Sequence, residues 1–497
     1  MIQAQPLPPL AQPTIIAVAL CYFAGVAAIG IWAARRTRTA RDFFVAGEGI
    51  GLWALALSAM AATVSGFAFI GGPGLVYTVG LGAIYLVLPA AITNSMGAWV
   101  LAKRMRLLAE ARKLITVPDA LGARYNSRSA QGLSAVAILI ATIGYMATNI
   151  LALGLVLDAI FGTGLTPGIW IGMAIVLAYS ASGGILAGIY TDMLQGALMA
   201  TASLLVFLFV LKSGGGMGGL SDRVLAADPA WLSPWGKMTP IAALSLLFVF
   251  GVGSLGQPHV VHKFYMLRDP AKLRWYPLLM TATLIVTLLL YFGVGFAVKA
   301  LVASGELPAL ARADDATPTF LLRYTPIVLA ALVFSGVAAA IMSTVNSFMN
   351  IAAAAITHDL PIAFGTRVSN ELRWGRIATI AISLIAALVA QLSGTLVALL
   401  GIFGWGLFAS TLVPALAIGL NWEGATRAGA VASIATGLVL TLVLETLAFA
   451  KVFTVPQGVA VAGLALVSST LVFFLVSALT RGSADAIDPD IRLVMSV

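Results

Sequence analysis

One long apolar stretch of the sequence carries a group of polar side chains at close spacing. Ser343, Thr344, Asn346 and Ser347 place four side-chain oxygens within five residues of an otherwise hydrophobic segment. Neutral hydroxyl and carbonyl oxygens are the ligands that a hard, poorly polarisable cation such as Na⁺ prefers. The pattern therefore predicts a Na⁺ site, although Ser and Thr in membrane helices also bond to the helix backbone or hold neighbouring helices together.

Two further apolar stretches contain residues that weaken a helix. Ser65 and Gly66 precede a Gly-Gly-Pro-Gly run at 71–74 in the first stretch, and three glycines within 251–256 precede Pro258 in the second. Each Gly costs about 1 kcal/mol of helix propensity and each Pro about 3 kcal/mol. A backbone group released inside a membrane must face protein, water or a ligand. We therefore expect both helices to unwind around a substrate, while close helix packing is the alternative use of these glycines.

Few other residues could do chemistry. Asp192 begins a long apolar stretch, where a carboxylate serves either a function or the helix N-terminus. His259 follows the second glycine-rich run and could touch a substrate, whereas His262 and His358 are expected at the membrane interface or at helix ends. These three histidines and the single Cys21 are too scattered for a metal site. No nucleophile is paired with a base, so the sequence does not predict an enzyme.

The composition indicates which elements must position these residues. Of the 497 residues, 60% are hydrophobic and only 9% are charged, compared with about a quarter charged in soluble domains. A membrane-spanning helix needs about 20 apolar residues, so we interpret the chain as an all-α polytopic membrane protein of thirteen transmembrane helices. The predicted spans are 13–34, 48–79, 82–103, 131–158, 166–181, 185–212, 240–262, 275–300, 325–357, 375–393, 396–420, 427–448 and 457–480.

The positive charge indicates membrane orientation rather than nucleic-acid binding. The chain has a net charge of +9, and 21 of its 28 Lys and Arg residues follow odd-numbered spans. Since Lys and Arg are retained on the cytoplasmic side, we predict an N-terminus outside and a C-terminus in the cytoplasm. No Asn-x-Ser/Thr glycosylation site occurs in the sequence, which favours a bacterial inner membrane.

The two helices expected to unwind, spans 2 and 7, are five spans apart and therefore cross the membrane in opposite directions. This arrangement predicts two inverted repeats, 48–212 and 240–420, whose first helices form a site at the bilayer midplane. An extra helix at 13–34 precedes the repeats, and two C-terminal helices at 427–480 follow them. We expect the whole chain, 1–497, to form a single transmembrane transporter domain.

Six ordered motifs extend over about 300 residues. They are RDFFVAG at 41–47, SG at 65–66 with FIGGPG at 69–74, TVPD at 116–119, SGG at 182–184 with TD at 191–192 and QG at 195–196, GQPH at 256–259 with RDP at 268–270, and AAIMST at 339–344. With these motifs the sequence resembles the sodium/solute symporter family, which includes bacterial proline, pantothenate and monocarboxylate carriers. The resemblance implies a LeuT-type 5+5 inverted repeat with an extra N-terminal helix and two discontinuous helices.

The same resemblance implies residues that bind Na⁺. A first Na⁺ would be held by three backbone carbonyls and two hydroxyls, those of Ala61, Val64, Ala340, Ser343 and Thr344. A second Na⁺, which some family members bind, would be held by Asp192 with Ser343, Asn346 and Ser347. Asn346 stands where a smaller serine-like or cysteine-like residue is more usual in the family.

The candidate substrate-binding residues lie at the two expected breaks and on spans 4 and 11. They are Ser65, Gly66, Phe67, Tyr145, Asn149, Phe250, Ser254, Gln257, Phe403 and Trp405. Proline carriers of the family resemble the chain at Tyr145 and at 257–259, while 69–74 is closer to pantothenate-type carriers. No Lys or Arg is expected to point into the cavity, so a carboxylate would rest on helix-end N–H groups, hydroxyls and Gln257.

These observations predict a Na⁺-coupled secondary active symporter. It would import a small polar, carboxylate-bearing organic solute, such as the amino acid proline, pantothenate or a monocarboxylate, by alternating access. The alternatives are a proton-coupled symporter of the same fold, in which Asp192 would titrate, and a transporter-like membrane sensor. The expected partners are the solute, Na⁺ and the lipid bilayer, with no nucleic acid and no obligatory protein partner.

Overall fold

The computed structural model of the protein describes residues 13–36, 39, 44–45, 50–266, 269–393, 397–453, 455–483 and 487–497. The motif residues 41–43, 46–47 and Arg268 lie outside the described residues, as do the side chains at 182–184. Within the described ranges the chain forms helices and no β-strand.

The α-helices follow one another along the whole chain. They are α1 (Pro13–Arg36), α2 (Leu52–Thr63), α3 (Gly72–Val79), α4 (Ile84–Gly97), α5 (Lys103–Arg112), α6 (Val117–Tyr125), α7 (Arg128–Phe161), α8 (Leu165–Gly214), α9 (Gly216–Ala227), α10 (Pro240–Gly253), α11 (Pro258–Val261), α12 (Tyr276–Ala303), α13 (Ala316–Tyr324), α14 (Ile327–Ala354), α15 (Leu360–Ala363), α16 (Glu371–Ser393), α17 (Val397–Leu412), α18 (Arg427–Phe449), α19 (Val461–Thr480) and α20 (Pro489–Met495).

Eleven segments of the described chain are long and apolar enough to cross a membrane, and two shorter apolar helices, Leu52–Ala61 and Leu165–Ala178, accompany them. The chain therefore has the helices of a polytopic membrane protein, as its composition predicts. Thirteen separate helices are not reproduced, because the predicted spans 166–181 and 185–212 form the single helix α8. A cost of about 1 kcal/mol per Gly is too small to end a helix with strongly apolar flanks.

The most buried helices lie at the centre of the bundle. α14 contacts α8, α7 and α1, and α7 contacts α17, α8 and α16. Every residue of α14 from Val333 to Ala354 is buried. Polar side chains on this part of α14 cannot reach water, so their oxygens must bond to the protein or to a bound ion.

The first expected break is present between α2 and α3. α2 ends at Thr63, and Val64 leaves the helical region with φ −86° and ψ 74°. The chain resumes as a π-helical turn, Phe67–Gly71, that leads directly into α3. The Gly-Gly-Pro-Gly run does not break the helix, because Gly72 has helical angles of φ −64° and ψ −56°. A Cβ at Gly72 would collide with the ring of Tyr291, so this glycine serves close packing.

The second expected break is present at Gln257. α10 ends at Gly253, the 3₁₀ turn Ser254–Gly256 follows, and Gln257 is extended with φ −77° and ψ 106°. Pro258 then begins α11, where its fixed φ suits the first turn of a helix. A second 3₁₀ segment, His262–Met266, continues from α11. The first interrupted helix thus has two non-helical positions between its helical halves, Val64 and Ser65, and the second has one, Gln257.

Candidate functional site

The polar side chains of α14 are buried in the centre of the bundle. Ser343, Thr344 and Asn346 have no exposed surface, and Ser347 is only 2% exposed. Thr344 Oγ1 donates a hydrogen bond to the carbonyl of Ala340 at 3.0 Å, whereas Ser343 Oγ has no partner among the described residues. A buried hydroxyl without a partner is costly, so Ser343 Oγ is available as a ligand for a cation.

The first break is pressed against α14 and α7. A Cβ added at Gly66 would lie 2.7 Å from Ile341 Cγ1 and 2.8 Å from Ala152 Cβ. The break therefore contacts α14 two residues before Ser343. The carbonyl of Ala61 lies in the last turn of α2, where helical carbonyls have no intrahelical donor. The structure thus brings the end of α2 and Ser343 into one region.

A cavity of about 50 Å³ lies beside the first break. Four residues predicted to bind substrate line it: Phe67, Tyr145, Phe250 and Trp405. Phe250 lies between two other rings, with its ring centroid 5.1 Å from that of Trp405 and 6.1 Å from that of Phe67. Among the described residues, none on the cavity wall is charged. The wall can therefore hold an apolar body but offers no side-chain countercharge.

The sequence analysis missed the contribution of α4 and α12 to this cavity. Leu86 and Ala91 of α4 line it, together with Leu284, Thr287 and Tyr291 of α12. An apolar residue in a predicted span carries no signal that separates a cavity wall from a lipid-facing surface. Tyr291 differs from the other residues of this wall, because it brings a buried hydroxyl that has no hydrogen-bond partner in the described part of the chain.

Asn149 fastens the first break to α7. Its Oδ1 accepts a hydrogen bond from the Gly66 N–H at 3.0 Å, and its Nδ2 donates to the Tyr145 carbonyl at 2.9 Å. The interruption of α2 releases the Gly66 N–H from the helical ladder, and a buried N–H needs an acceptor. Asn149 supplies that acceptor, and it does not belong to the wall of the cavity.

The polar side chains at the second break also bond to the backbone. Gln257 Nε2 donates to the Gly253 carbonyl at 2.9 Å and to the Trp405 carbonyl at 3.3 Å. Ser254 Oγ donates to the Gly251 carbonyl at 2.8 Å. Gln257 Oε1 is buried and has no partner among the described residues. Neither Gln257 nor Ser254 lies on the wall of the cavity, so contact of either residue with a substrate stays a prediction.

The remaining candidate residues lie outside the cavity wall. Ser65 Oγ accepts a hydrogen bond from the Phe67 N–H at 3.3 Å. Phe403 packs against α7, where a Cβ at Gly144 would lie 2.8 Å from its ring. Gly66 faces α14 and α7 as described above. Direct substrate contact by these three residues stays a prediction.

The carboxylate considered for a second Na⁺ is paired with a lysine. The side chains of Asp192 and Lys263 are each 1% exposed, and Lys263 Nζ lies 3.1 Å from Asp192 Oδ2. Ser58 Oγ donates to the same oxygen at 2.6 Å. Asn346 lies nearby, because a Cβ at Gly188, one helical turn before Asp192, would collide with its amide. The sequence analysis did not predict this pair, because a lysine at the end of a predicted span was counted as an indicator of membrane orientation.

A second ionisable cluster lies where α14 ends. Ligand atoms of Asp119, His358 and Asp359 all lie within 4.8 Å of one another. Hydrogen bonds account for their closeness: His358 Nε2 lies 3.0 Å from Asp119 Oδ2, and Thr116 Oγ1 donates to Asp359 Oδ1 at 2.6 Å. Burial raises the pKa of Asp119, but the hydrogen bond and charge of His358 outweigh burial and hold this pKa below its usual range. The cluster joins α6 to the end of α14.

The segment 313–324, which connects α12 to α14, covers the other side of the first break. Thr317 Oγ1 donates to the Phe69 carbonyl at 2.6 Å. Asp314 Oδ2 accepts the N–H of Val397, the first residue of α17, at 3.0 Å. Burial raises the pKa of Asp314 to about 6, against the hydrogen bond from Val397. The attachment of this connecting segment to α17 therefore depends on a partly desolvated carboxyl group, that of Asp314.

Comparison with known proteins defines the class of the chain. The profile of the Sodium:solute symporter family matches residues 43–437, and the chain belongs to this family. It therefore transports a small solute together with Na⁺, which is its coupling ion. The fold is shared with a Na⁺-coupled sialic acid symporter solved in a substrate-bound outward-open state, at a TM-score of 0.76 and 19% identity, over 96% of this chain and 99% of that one.

Several characterised transporters have similar sequences. The osmoregulated proline transporter OpuE of Bacillus subtilis is 29% identical over 86% of this chain and 88% of its own length. The high-affinity proline transporter PutP of Bacillus subtilis is 27% identical over 92% of this chain and 97% of its own length. The sodium/pantothenate symporter of Escherichia coli is 26% identical over 88% of this chain and 91% of its own length.

Proposed function

We propose that the chain imports a small zwitterion with an apolar body, such as proline, together with Na⁺. The observation that carries this proposal is the cavity beside the first break, with its aromatic stack and its uncharged described wall. A net anion buried there would lack a countercharge, which is costly. A zwitterion instead presents one charge to helix-end N–H groups and the other to helix-end carbonyls. The proline transporters among the relatives support this choice over pantothenate, which is an anion.

We propose that Na⁺ binds between the end of α2 and α14. Its ligands would be three backbone carbonyls and two hydroxyls, those of Ala61, Val64, Ala340, Ser343 and Thr344. Support comes from the buried hydroxyl of Ser343, which lacks a partner in the described structure, and from the contact between the first break and Ile341. The ion would fasten the break to α14 and so couple its own binding to the shape of the neighbouring cavity.

We further propose that 48–212 and 240–420 are inverted repeats that move by alternating access. Each would contribute one broken helix to the site, in line with the two breaks described above. The N-terminus would lie outside a bacterial inner membrane and the C-terminus in the cytoplasm, as the distribution of Lys and Arg favours. A membrane potential of about 100 mV would then contribute about 2.3 kcal/mol per Na⁺ imported.

Uptake into proteoliposomes tests the proposed solute. The purified full chain would be given radiolabelled proline, pantothenate or lactate, with an inward Na⁺ gradient or an equal K⁺ gradient. We expect Na⁺-dependent accumulation of proline and little of either anion. Accumulation of pantothenate or lactate without proline would contradict the zwitterion proposal. Equal uptake in Na⁺ and K⁺ would contradict the proposed Na⁺ site.

A further inference from the structure

The ammonium group of Lys263 is surrounded by the oxygen types that bind a small cation. It donates to the Ser58 carbonyl at 2.7 Å, to Ser58 Oγ at 2.6 Å and to Asp192 Oδ2 at 3.1 Å. These three bonds use all three donors of an ammonium group. A carbonyl, a hydroxyl and a carboxylate are also the ligands that hard metal cations prefer.

The group joins three elements near the two breaks. Ser58 lies on α2 before the first break, Lys263 on the 3₁₀ segment after the second break, and Asp192 on α8. Because Lys263 and Asp192 are each 1% exposed, water screens neither charge. Each charge therefore depends on the other, and removal of one leaves the other buried and uncompensated.

Asp192 cannot serve two cations equally well. Its charge is already balanced by Lys263, so an added Na⁺ would leave a net positive charge in a dry site and would repel the ammonium group. The opposing observation is that Asp192 Oδ1 has no partner among the described residues. That oxygen is the ligand a second Na⁺ would use, so the number of bound Na⁺ ions separates the two interpretations.

We propose that the Lys263 ammonium group acts as a built-in second cation, so that the chain binds and transports one Na⁺ per cycle. This inference rests on the proposed Na⁺ site between α2 and α14, which would hold that single ion. Lys263 would then determine the ion stoichiometry without touching the solute. A chain with an uncharged residue at this position would instead need a second Na⁺ to neutralise Asp192.

The number of ²²Na⁺ ions bound per purified full-length protein tests this proposal. We expect one ion for the parent and one for Lys263→Arg, which retains the positive charge. We expect two ions for Lys263→Met, because Na⁺ then replaces the missing ammonium group. We expect one ion again when Lys263→Met is combined with Asp192→Asn, because the carboxylate that required a cation is gone.

Two results would overturn the inference and leave the proposed function intact: two ions bound by the parent, or one ion bound by Lys263→Met. Absence of Na⁺ binding by the parent would overturn the first site itself, and the inference with it. If Lys263→Met does not fold, the variant Thr344→Ala tests the proposal instead, because Thr344 belongs only to the Na⁺ site proposed between α2 and α14. We expect its single Na⁺ to bind about tenfold more weakly than in the parent, whereas one ion bound at the parent's affinity beside one weakened ion would refute the proposal.

Discussion

Ser343 and Thr344 are adjacent on α14, but their hydroxyls have different environments. Thr344 Oγ1 donates to the Ala340 carbonyl, whereas Ser343 Oγ has no partner in the described structure. Ser343→Ala therefore removes a proposed ion ligand without leaving another protein group unpaired. We expect the Na⁺ concentration for half-maximal uptake to rise about tenfold, equivalent to about 1.4 kcal/mol, with unchanged expression.

Uptake measured over a range of Na⁺ at constant ionic strength checks this prediction. Ser335→Ala is the matched control, because Ser335 is a buried serine on the same helix whose hydroxyl bonds to the Ala331 carbonyl. This control should leave the Na⁺ dependence unchanged. If Ser343→Ala behaved like the control, the Ser343 hydroxyl would not be an ion ligand.

We expect replacement of Asn149 to reduce the stability of the protein more directly than its affinity for the substrate. Asn149→Leu removes the acceptor of the Gly66 N–H, and a buried donor left unpaired costs about 1–3 kcal/mol. We expect a lower thermal unfolding temperature in detergent. Thr148→Ala on the same helix removes only a bond to the Gly144 carbonyl within α7 and should have a smaller effect. Equal unfolding temperatures for Asn149→Leu and the parent would show that the break needs no side-chain acceptor.

Among the elements, the connecting segment 313–324 should make the stability of the protein depend on pH. Asp314 has its pKa raised to about 6, with burial as the main cause. A carboxyl whose pKa is higher in the folded state gives stability that is present at low pH and is lost as pH rises through the folded value. We expect the parent to unfold at a higher temperature at pH 5 than at pH 7. Asp314→Asn should reduce this difference, whereas Asp222→Asn, an exposed acid on α9, should retain it.

The pattern of glycines and prolines predicted two interrupted helices, but it did not identify which residues in each run would be non-helical. Val64 and Gln257 are non-helical, whereas Gly72 and the backbone at 182–184 remain helical. A break and a close packing contact both require the absence of a side chain, so they look alike in sequence. The Tyr291 ring above Gly72 is a tertiary contact that no local pattern reports.

At the scale of the whole molecule, the distribution of charge predicts the sidedness of every loop. With the sole cysteine replaced by Cys21→Ser, we expect Gly218→Cys on α9 to react with an impermeant maleimide in intact cells. Ser369→Cys, in the turn before α16, should react only after permeabilisation. Both positions are exposed, so a difference in labelling reports the side of the membrane. The reverse pattern would invert the proposed orientation.

Composition and motifs were sufficient to predict the class of the whole molecule, and the family profile confirms it. The interior of the site was less accessible to sequence reasoning. Phe67 and Phe250 could be predicted because they flank the breaks, and Trp405 was a candidate on span 11. Leu86 and Leu284 could not be predicted, because their place on the wall depends on how α4 and α12 pack. The pairing of Lys263 with Asp192 could not be predicted either, because the two residues are 71 positions apart in the sequence and meet only through helix packing.

The two breaks differ in what holds them, and this difference has a mechanical consequence. At the first break the Gly66 N–H donates to Asn149 on a neighbouring helix at 3.0 Å, whereas at the second break the Gln257 N–H donates to the Ser254 carbonyl in its own turn at 3.4 Å. A backbone N–H that is bonded to a neighbouring helix is released only when the two helices separate, whereas one that is bonded within its own turn is released when that turn opens. The two halves of the transporter should therefore not rock as equals. We expect amide hydrogens around Gln257 to exchange with solvent faster than those around Gly66, because the second hinge bends first.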